Sequence, residues 1–289
     1  MDLRRLNLFI AVVDHGTITA AAHAVHVAQP AVSLAIQELE TEVGTALFVR
    51  TRSGAVLTPA GEALVAPARQ ALRDIALASQ AVAAVTGLVA GRLDLVSLPT
   101  LAADPLAAMV GRFRQAHPGV AVRLGAPDEP GELAEAVRRG AAELGITERS
   151  ADNAGLEQHH VVDQNLVAIS PPGTTHKARS INLTELSRLA LVVTGRGTSL
   201  RTLLEQALVD AELTPIVAVE SAQRDALIPL VLAGAGTAVL PETLAATAAG
   251  LGAVVRTIRP PLQRHVVLVH RPGGLSPAAA RFVELARSD

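Results

Sequence analysis

Through the first 58 residues, apolar side chains recur at intervals of three and four, the spacing of one face of an α-helix. Leu6, Phe9, Ile10 and Val13 mark a helix over residues 3–14, ending where Gly16 can adopt a left-handed cap. Residues 19–25 are Ala-rich, so another helix can cross them closely, and His26-Val27-Ala28 is long enough only for a tight turn. In the next helix Val32, Ile36, Leu39 and Val43 fall on one side, while Gln29, Pro30, Ser33, Leu34, Gln37 and Thr41 spread over the other. Pro30 suits the first turn, where its missing N–H costs nothing. Two short helices joined this way form a helix-turn-helix, whose second helix can enter a major groove; the same spacing also fits an αα-hairpin in a helical core. Extended stretches at residues 47–49 and 55–58 then flank a turn at 50–54. The unit reads as a winged helix-turn-helix, with Arg50 and Arg52 at the base and tip of the wing, in reach of phosphate.

A second helical pattern starts at Thr58-Pro59 and keeps Leu64, Ala68, Ala71, Ile75, Ala78, Val82 and Val85 in steps of four and three. So narrow a seam, over roughly 40 Å of helix, wants a partner helix. With none nearby in sequence it predicts homodimerisation, and Pro67 should bend the helix. After Gly91 the period changes. Strand-like runs at residues 92–98, 120–124, 144–147, 166–170, 191–194, 217–219, 237–240 and 266–270 alternate with helical stretches at 104–116, 131–139, 183–189, 200–211, 224–233 and 277–287. The alternation predicts a parallel α/β sheet in two lobes. The expected divisions are residues 1–58, a linker helix at 59–90, and 91–289. Within the last, the chain should cross between lobes at 163–165 and return near His270-Arg271, so that lobe I is 91–163 plus 271–289 and lobe II is 164–270.

Composition narrows the chemistry. A chain of 289 residues without Trp or Tyr, and with only four Phe, must build its cores from Leu, Val, Ile and Ala. The absence of Cys excludes disulfides, thiolate catalysis and thiol redox sensing. No apolar run approaches the roughly 20 residues of a membrane span, and the N-terminus lacks a signal peptide's apolar centre, so the expectation is a soluble cytoplasmic protein that contacts no membrane. Net charge is −2, and residues 1–58 set Arg4, Arg5, Arg50 and Arg52 against Asp2, Asp14, Glu38, Glu40 and Glu42. Bulk charge therefore argues mildly against DNA binding, and only the local placement of those arginines favours it.

Enzyme signatures are missing. Gly234-Ala235-Gly236 follows a helix and precedes a strand, the reverse of a dinucleotide fingerprint, and reads as a helix cap. His159-His160 has no clustered carboxylate at metal-ligand spacing and reads as a surface pair. No nucleophile elbow or phosphate loop occurs, so no catalytic residue, metal or cofactor is expected.

The order of elements, together with Leu8-Phe9, Gly16-Thr17-Ile18-Thr19-Ala20-Ala21-Ala22, Val27-Ala28-Gln29-Pro30-Ala31-Val32-Ser33, Ile36-Gln37-Glu38-Leu39-Glu40, Leu47-Phe48-Val49-Arg50 and Leu57-Thr58-Pro59-Ala60-Gly61, resembles the LysR-type transcriptional regulators. The run from Phe113 to Val120 and the run from Gly234 to Pro241 carry the likeness into the second half. The resemblance implies a winged helix-turn-helix, a linker helix and two subdomains like those of periplasmic binding proteins. It implies that Gln29, Pro30, Ser33 and Gln37 face the groove, with Arg50 and Arg52 on phosphate. The implied partners are double-stranded DNA, further copies of the chain as a dimer or tetramer, a small anionic or polar effector and RNA polymerase. The chain departs from the family pattern at Ala28, where many members have a capping Ser, and at Leu34, where many have a basic residue.

An effector between two such lobes lies near strand C-termini and helix N-termini, whose free N–H groups suit anions. Ser97, Thr100, Thr147, Thr194, Arg196, Thr198, Ser199 and Ser221 are the candidates, each hydroxyl having a plain alternative as a helix cap. The competing function is a cytoplasmic small-molecule binding protein whose N-terminal helices only dimerise.

Overall fold

The computed structural model describes residues 1–51, 54–85, 91–175 and 178–287, leaving out the side chains of Arg50 and of residues 76–85. The N-terminal unit consists of α1 (Leu3–His15), α2 (Ile18–Ala24), α3 (Gln29–Val43), β1 (Phe48–Thr51) and β2 (Gly54–Leu57), and leads into α4 (Pro59–Val85). Local chemistry sets its ends. Asp2 Oδ1 accepts from the Arg5 N–H at 2.8 Å and Thr17 Oγ1 from the Ala20 N–H at 3.0 Å, each satisfying a free first-turn donor. His26, with φ 55, turns the chain between α2 and α3 without a glycine. Val32, Ala35, Ile36 and Leu39 bury α3 against Phe9 and Val12 of α1 and Ala21 and Ala22 of α2. Each large aliphatic side chain so buried contributes roughly 1.5–3 kcal/mol. Val43 departs from the predicted seam: it is 38 % exposed in the last turn before the Gly44 cap.

The wing is anchored from both sides. Ala55 N–H donates to Gly16 O at 2.9 Å, and a Cβ at Gly54 would sit 2.5 Å from that oxygen, so the hairpin's close approach requires glycine there. Glu40 Oε1 accepts the N–H of Leu47 at 2.8 Å and of Phe48 at 3.1 Å. Replacing Glu40 by Gln keeps an acceptor oxygen but removes its charge, so the N-terminal unit should lose about 1 kcal/mol in urea unfolding. An unchanged midpoint would show that the wing is held otherwise.

The predicted seam of α4 is partly spent within the chain. Val65 and Ala68 are buried in the N-terminal core, with Leu64, Ala71 and Leu72 against it, because α1 supplies the helical partner that sequence order hid. Ile75 is 45 % exposed; the side chains of Ala78, Val82 and Val85 lie outside the described residues, as do residues 86–90 of the predicted linker.

The remainder comprises β3 (Gly91–Ser97), α5 (Pro99–Leu101), α6 (Ala107–Ala116), β4 (Val120–Gly125), α7 (Pro130–Arg138), β5 (Leu144–Glu148), β6 (Glu157–Ser170), β7 (Ser180–Asn182), α8 (Leu183–Ser187), β8 (Ala190–Thr194), α9 (Ser199–Asp210), β9 (Ile216–Ser221), α10 (Leu227–Leu232), β10 (Ala238–Pro241), α11 (Glu242–Gly250), β11 (Val254–His270) and α12 (Pro277–Ala286). The sheet is mixed rather than parallel. Its order is β10-β6-β11-β5-β3-β4, with β7 beside β11, and β8-β9 form a separate parallel pair. The long strands β6 and β11 run antiparallel through both lobes and carry the chain across. Leu93, Phe113, Ile146, Val266–Val269 and Phe282 share the lobe I core, whereas Leu166–Ile169, Leu191, Leu204 and Ala238 share that of lobe II. The outward crossing falls near Gln164. The return falls at Leu262–His265, where β11 pairs with residues 163–166, rather than near His270-Arg271.

The predicted helix at 104–116 is interrupted. Asp104 is extended, at φ −154 and ψ 121, because Pro105 excludes the helical region for its predecessor. Gly234-Ala235-Gly236 does cap α10 and feed β10, with Gly236 so close to Ala190 that a Cβ would meet its oxygen at 2.4 Å.

Candidate functional site: an exposed helix face and an interlobe cleft

Helix α3 leaves Gln29, Pro30, Leu34 and Gln37 exposed and Ser33 half-buried, while its other face is in the core. Leu34 is 56 % exposed, a large apolar side chain on an otherwise polar face. Ala28 gives α3 no side-chain cap. The backbone of Arg50 lies in β1, opposite Ala55; its side chain, and Arg52 entirely, lie outside the described residues. The acidic residues of this unit are internally engaged: Arg5 meets Glu38 at 3.1 Å and Glu42 at 3.0 Å, Asp14 pairs with Arg69, and Glu40 holds the wing. The weak net charge thus overstates the repulsion that a phosphate backbone would meet.

Between the lobes lies a cavity of about 500 Å³. Its polar lining is Thr100, Thr194, Gln223, Arg224 and Asp225, and its large apolar lining Leu200, Leu227, Ile228, Leu240 and Leu244. Of the sequence candidates, Thr100 and Thr194 line it, and Thr198 and Ser199 join them in an adjoining crevice. Ser97, Thr147, Arg196 and Ser221 are absent from both walls. Ser97 is buried and donates to Leu98 O, and Ser221 is engaged with its own turn, donating to Gln223 O and accepting from the Gln223 N–H. Thr147 is fully buried with an unpartnered hydroxyl, and Arg196 is exposed on its loop. Thr198 does not cap α9 through its hydroxyl, which donates to Gly195 O and meets the Thr194 hydroxyl at 2.6 Å.

Bonds across the cleft hold the lobes together. Arg224 Nη1 donates to Asp128 Oδ1 at 2.6 Å, and Ser199 Oγ donates to Glu148 Oε2 at 2.6 Å. At the crossing strands a network centred on buried Gln164 and Arg264 runs from exposed Thr243 through Asp104 to Thr100. Thr243 Oγ1 and Gln164 Nε2 donate to Asp104 Oδ2, each at 2.7 Å. Arg264, 1 % exposed, donates to Gln164 Oε1 and, at 2.9 Å, to Thr100 Oγ1. Burial pushes its guanidinium down to about 10, still cationic at neutral pH, with Glu148 and Asp104 opposing the shift. Arg264, Gln164, Asp128, Glu148 and Arg224 were not among the sequence candidates. Only the polar interruptions at Gln164 and Arg264, in stretches that prove to be strands, signalled two of them.

A family model described as the bacterial regulatory helix-turn-helix protein, lysR family, matches residues 3–62, and one described as the LysR substrate binding domain matches residues 86–289. The HTH-type transcriptional regulator TfdS of Cupriavidus pinatubonensis is 30% identical over 254 residues, covering 85% of this chain and 84% of its own. The nitrogen assimilation regulatory protein nac of Klebsiella aerogenes is 28% identical, covering 100% of this chain and 95% of its own. A full-length OxyR variant from Pseudomonas aeruginosa superposes with a TM-score of 0.81 at 24% identity, over 99% of this chain and 95% of that one. Full-length CbnR complexed with its target DNA superposes with a TM-score of 0.67 at 24% identity, over 100% of this chain and 99% of that one.

Proposed function

Because the chain belongs to the LysR family of DNA-binding transcriptional regulators, we propose that it reads its operator with Gln29, Ser33, Leu34 and Gln37 of α3, Pro30 starting that helix, and that Arg50 and Arg52 meet phosphate. A small anionic metabolite with an apolar body, bound between the lobes, sets its activity. The observation that carries the effector reading is the 500 Å³ interlobe cavity, lined by leucines together with Thr100, Thr194, Arg224 and Asp225. The chain acts in the cytoplasm, beside the DNA, as a homo-oligomer joined through α4, and RNA polymerase is its further partner. Effector binding shifts the balance between open and closed lobes, and thereby the spacing of two DNA-binding units.

A calorimetric screen of carboxylates with aliphatic or aromatic bodies, followed by operator binding with and without each hit, tests this. A tight ligand that alters neither DNA affinity nor DNA bending would overturn the switch. Variants separate clasp from ligand contact. Asp128 is 72 % exposed, so its pairing with Arg224 contributes at most about 1 kcal/mol to closure. Arg224→Ala should weaken the ligand roughly tenfold or more, while Asp128→Asn changes it less than about threefold. Equal losses in both variants would reduce Arg224 to a clasp.

A further inference from the structure

Strands β6 and β11 bring together three metal-ligating side chains far from the interlobe cleft. Glu157, His159 and His270 each place a ligand atom within 4.8 Å of the other two. The Nε2 atoms of His159 and His270 are 2.9 Å apart, and His270 Nε2 is 3.6 Å from Glu157 Oε2. Two imidazole nitrogens around a tetrahedral ion at 2.0–2.1 Å stand about 3.3 Å apart, so the two rings need separate by only about 0.4 Å to admit one. We propose that Glu157, His159 and His270 form a binding site for a divalent transition-metal ion, with a fourth position open to solvent.

The surroundings meet what such a site requires. His270 Nδ1 lies 2.7 Å from Arg271 O, a contact that needs hydrogen on Nδ1 and leaves the Nε2 lone pair free. That is the outer hydrogen bond that fixes a metal-ligating histidine in its tautomer. The two facing Nε2 atoms then share one hydrogen, carried by His159. On ion binding that hydrogen moves to His159 Nδ1 through solvent, with no net proton released. His270 is buried, while Glu157 is exposed and His159 half-exposed, so an ion can approach from solvent. Two imidazoles and one carboxylate are borderline donors, which favour Zn²⁺, Ni²⁺ or Cu²⁺ over Mg²⁺ or Ca²⁺. Burial, His270 and Arg287 hold His159 below the usual imidazole range, and Glu157 opposes them only in part. His159 lies five residues before Gln164 on β6, roughly 16 Å along the strand from the crossing. The ion therefore does not compete with the effector for space.

His159-His160 looked like a surface pair because its partner stands 111 residues away in sequence. Strand alternation also splits the pair: His160 faces Asp163, at 3.8 Å, and Asp163 in turn contacts His265 at 2.8 Å. This second cluster supplies the control. Zn²⁺ is titrated into the tag-free full-length chain by calorimetry. One equivalent should bind with micromolar or tighter affinity; Glu157→Gln and His159→Gln should each weaken it roughly tenfold or more, and His160→Gln leave it within about twofold. Glu157 is exposed, so its substitution leaves the fold in place. Failure of the wild-type chain to bind Zn²⁺, or an equal loss in His160→Gln and His159→Gln, would overturn the assignment.

Discussion

Replacing Arg264 by Ala should destabilise the regulatory half by about 3–4 kcal/mol, whereas Arg264→Met should cost less than about 1.5 kcal/mol. Arg264 is among the largest fully buried side chains of the protein, and its partners are an amide and a hydroxyl rather than a carboxylate. Truncation to Ala strands Gln164 Oε1 without its donor, at roughly 1–3 kcal/mol, and opens a cavity at the crossing. Methionine fills most of that volume and removes a poorly compensated buried cation, a gain that offsets part of the lost hydrogen bonding. Calorimetric unfolding of the full chain reads the difference as a drop in the regulatory transition for Ala and little movement for Met. Equal shifts in the two variants would mean that volume alone matters. Because Thr100 loses its donor in both, both should also weaken the effector.

The same residue shows where sequence reading reached its limit. The helices of the N-terminal unit were legible because each buries a periodic stripe, such as Val32, Ile36 and Leu39, and because caps and turns there are local in sequence. The core-facing segments of the two lobes were legible for the same reason. The crossing strands were not. Residues 157–165 carry Glu, Gln, His, His, Asp, Gln and Asn, and β11 contains Pro260-Pro261 and Arg264, so only the apolar ends, 166–170 and 266–270, looked like strands. Their polar middles exist because they lie between two cores, where side chains bond across the gap instead of packing. The effector candidates suffered accordingly. Hydroxyls after strands were expected at one edge of the sheet, and Thr100, Thr194, Thr198 and Ser199 line a common crevice. The charged residues that bridge the lobes pair across 51 to 164 positions of sequence, as Glu148 does with Ser199 and Arg264 with Thr100, and no local pattern encodes such pairs.

Leu34→Arg should tighten operator binding or move its base preference, by about 1–3 kcal/mol, roughly 5- to 150-fold in affinity. Leu34 stands 56 % exposed among Gln29, Pro30 and Gln37, so a longer cationic side chain fits without disturbing the core formed by Val32, Ile36 and Leu39. As leucine it offers a thymine methyl an apolar contact and gives no hydrogen bond to a base. An arginine there can take guanine O6 and N7 together, or a phosphate. The two outcomes separate by salt: a new phosphate contact steepens the dependence of log affinity on log salt by about one, across all sequences alike. A new guanine contact instead changes the ranking of operators. Glu38 lies one turn further along α3 and would compete for the guanidinium, by about 0.3–0.5 kcal/mol, but it is already held by Arg5 at 3.1 Å. The gain should therefore survive. Identical binding curves for the two proteins over several operators and two salt concentrations would show that position 34 does not face the DNA, and would remove the central residue from the reading face proposed for α3.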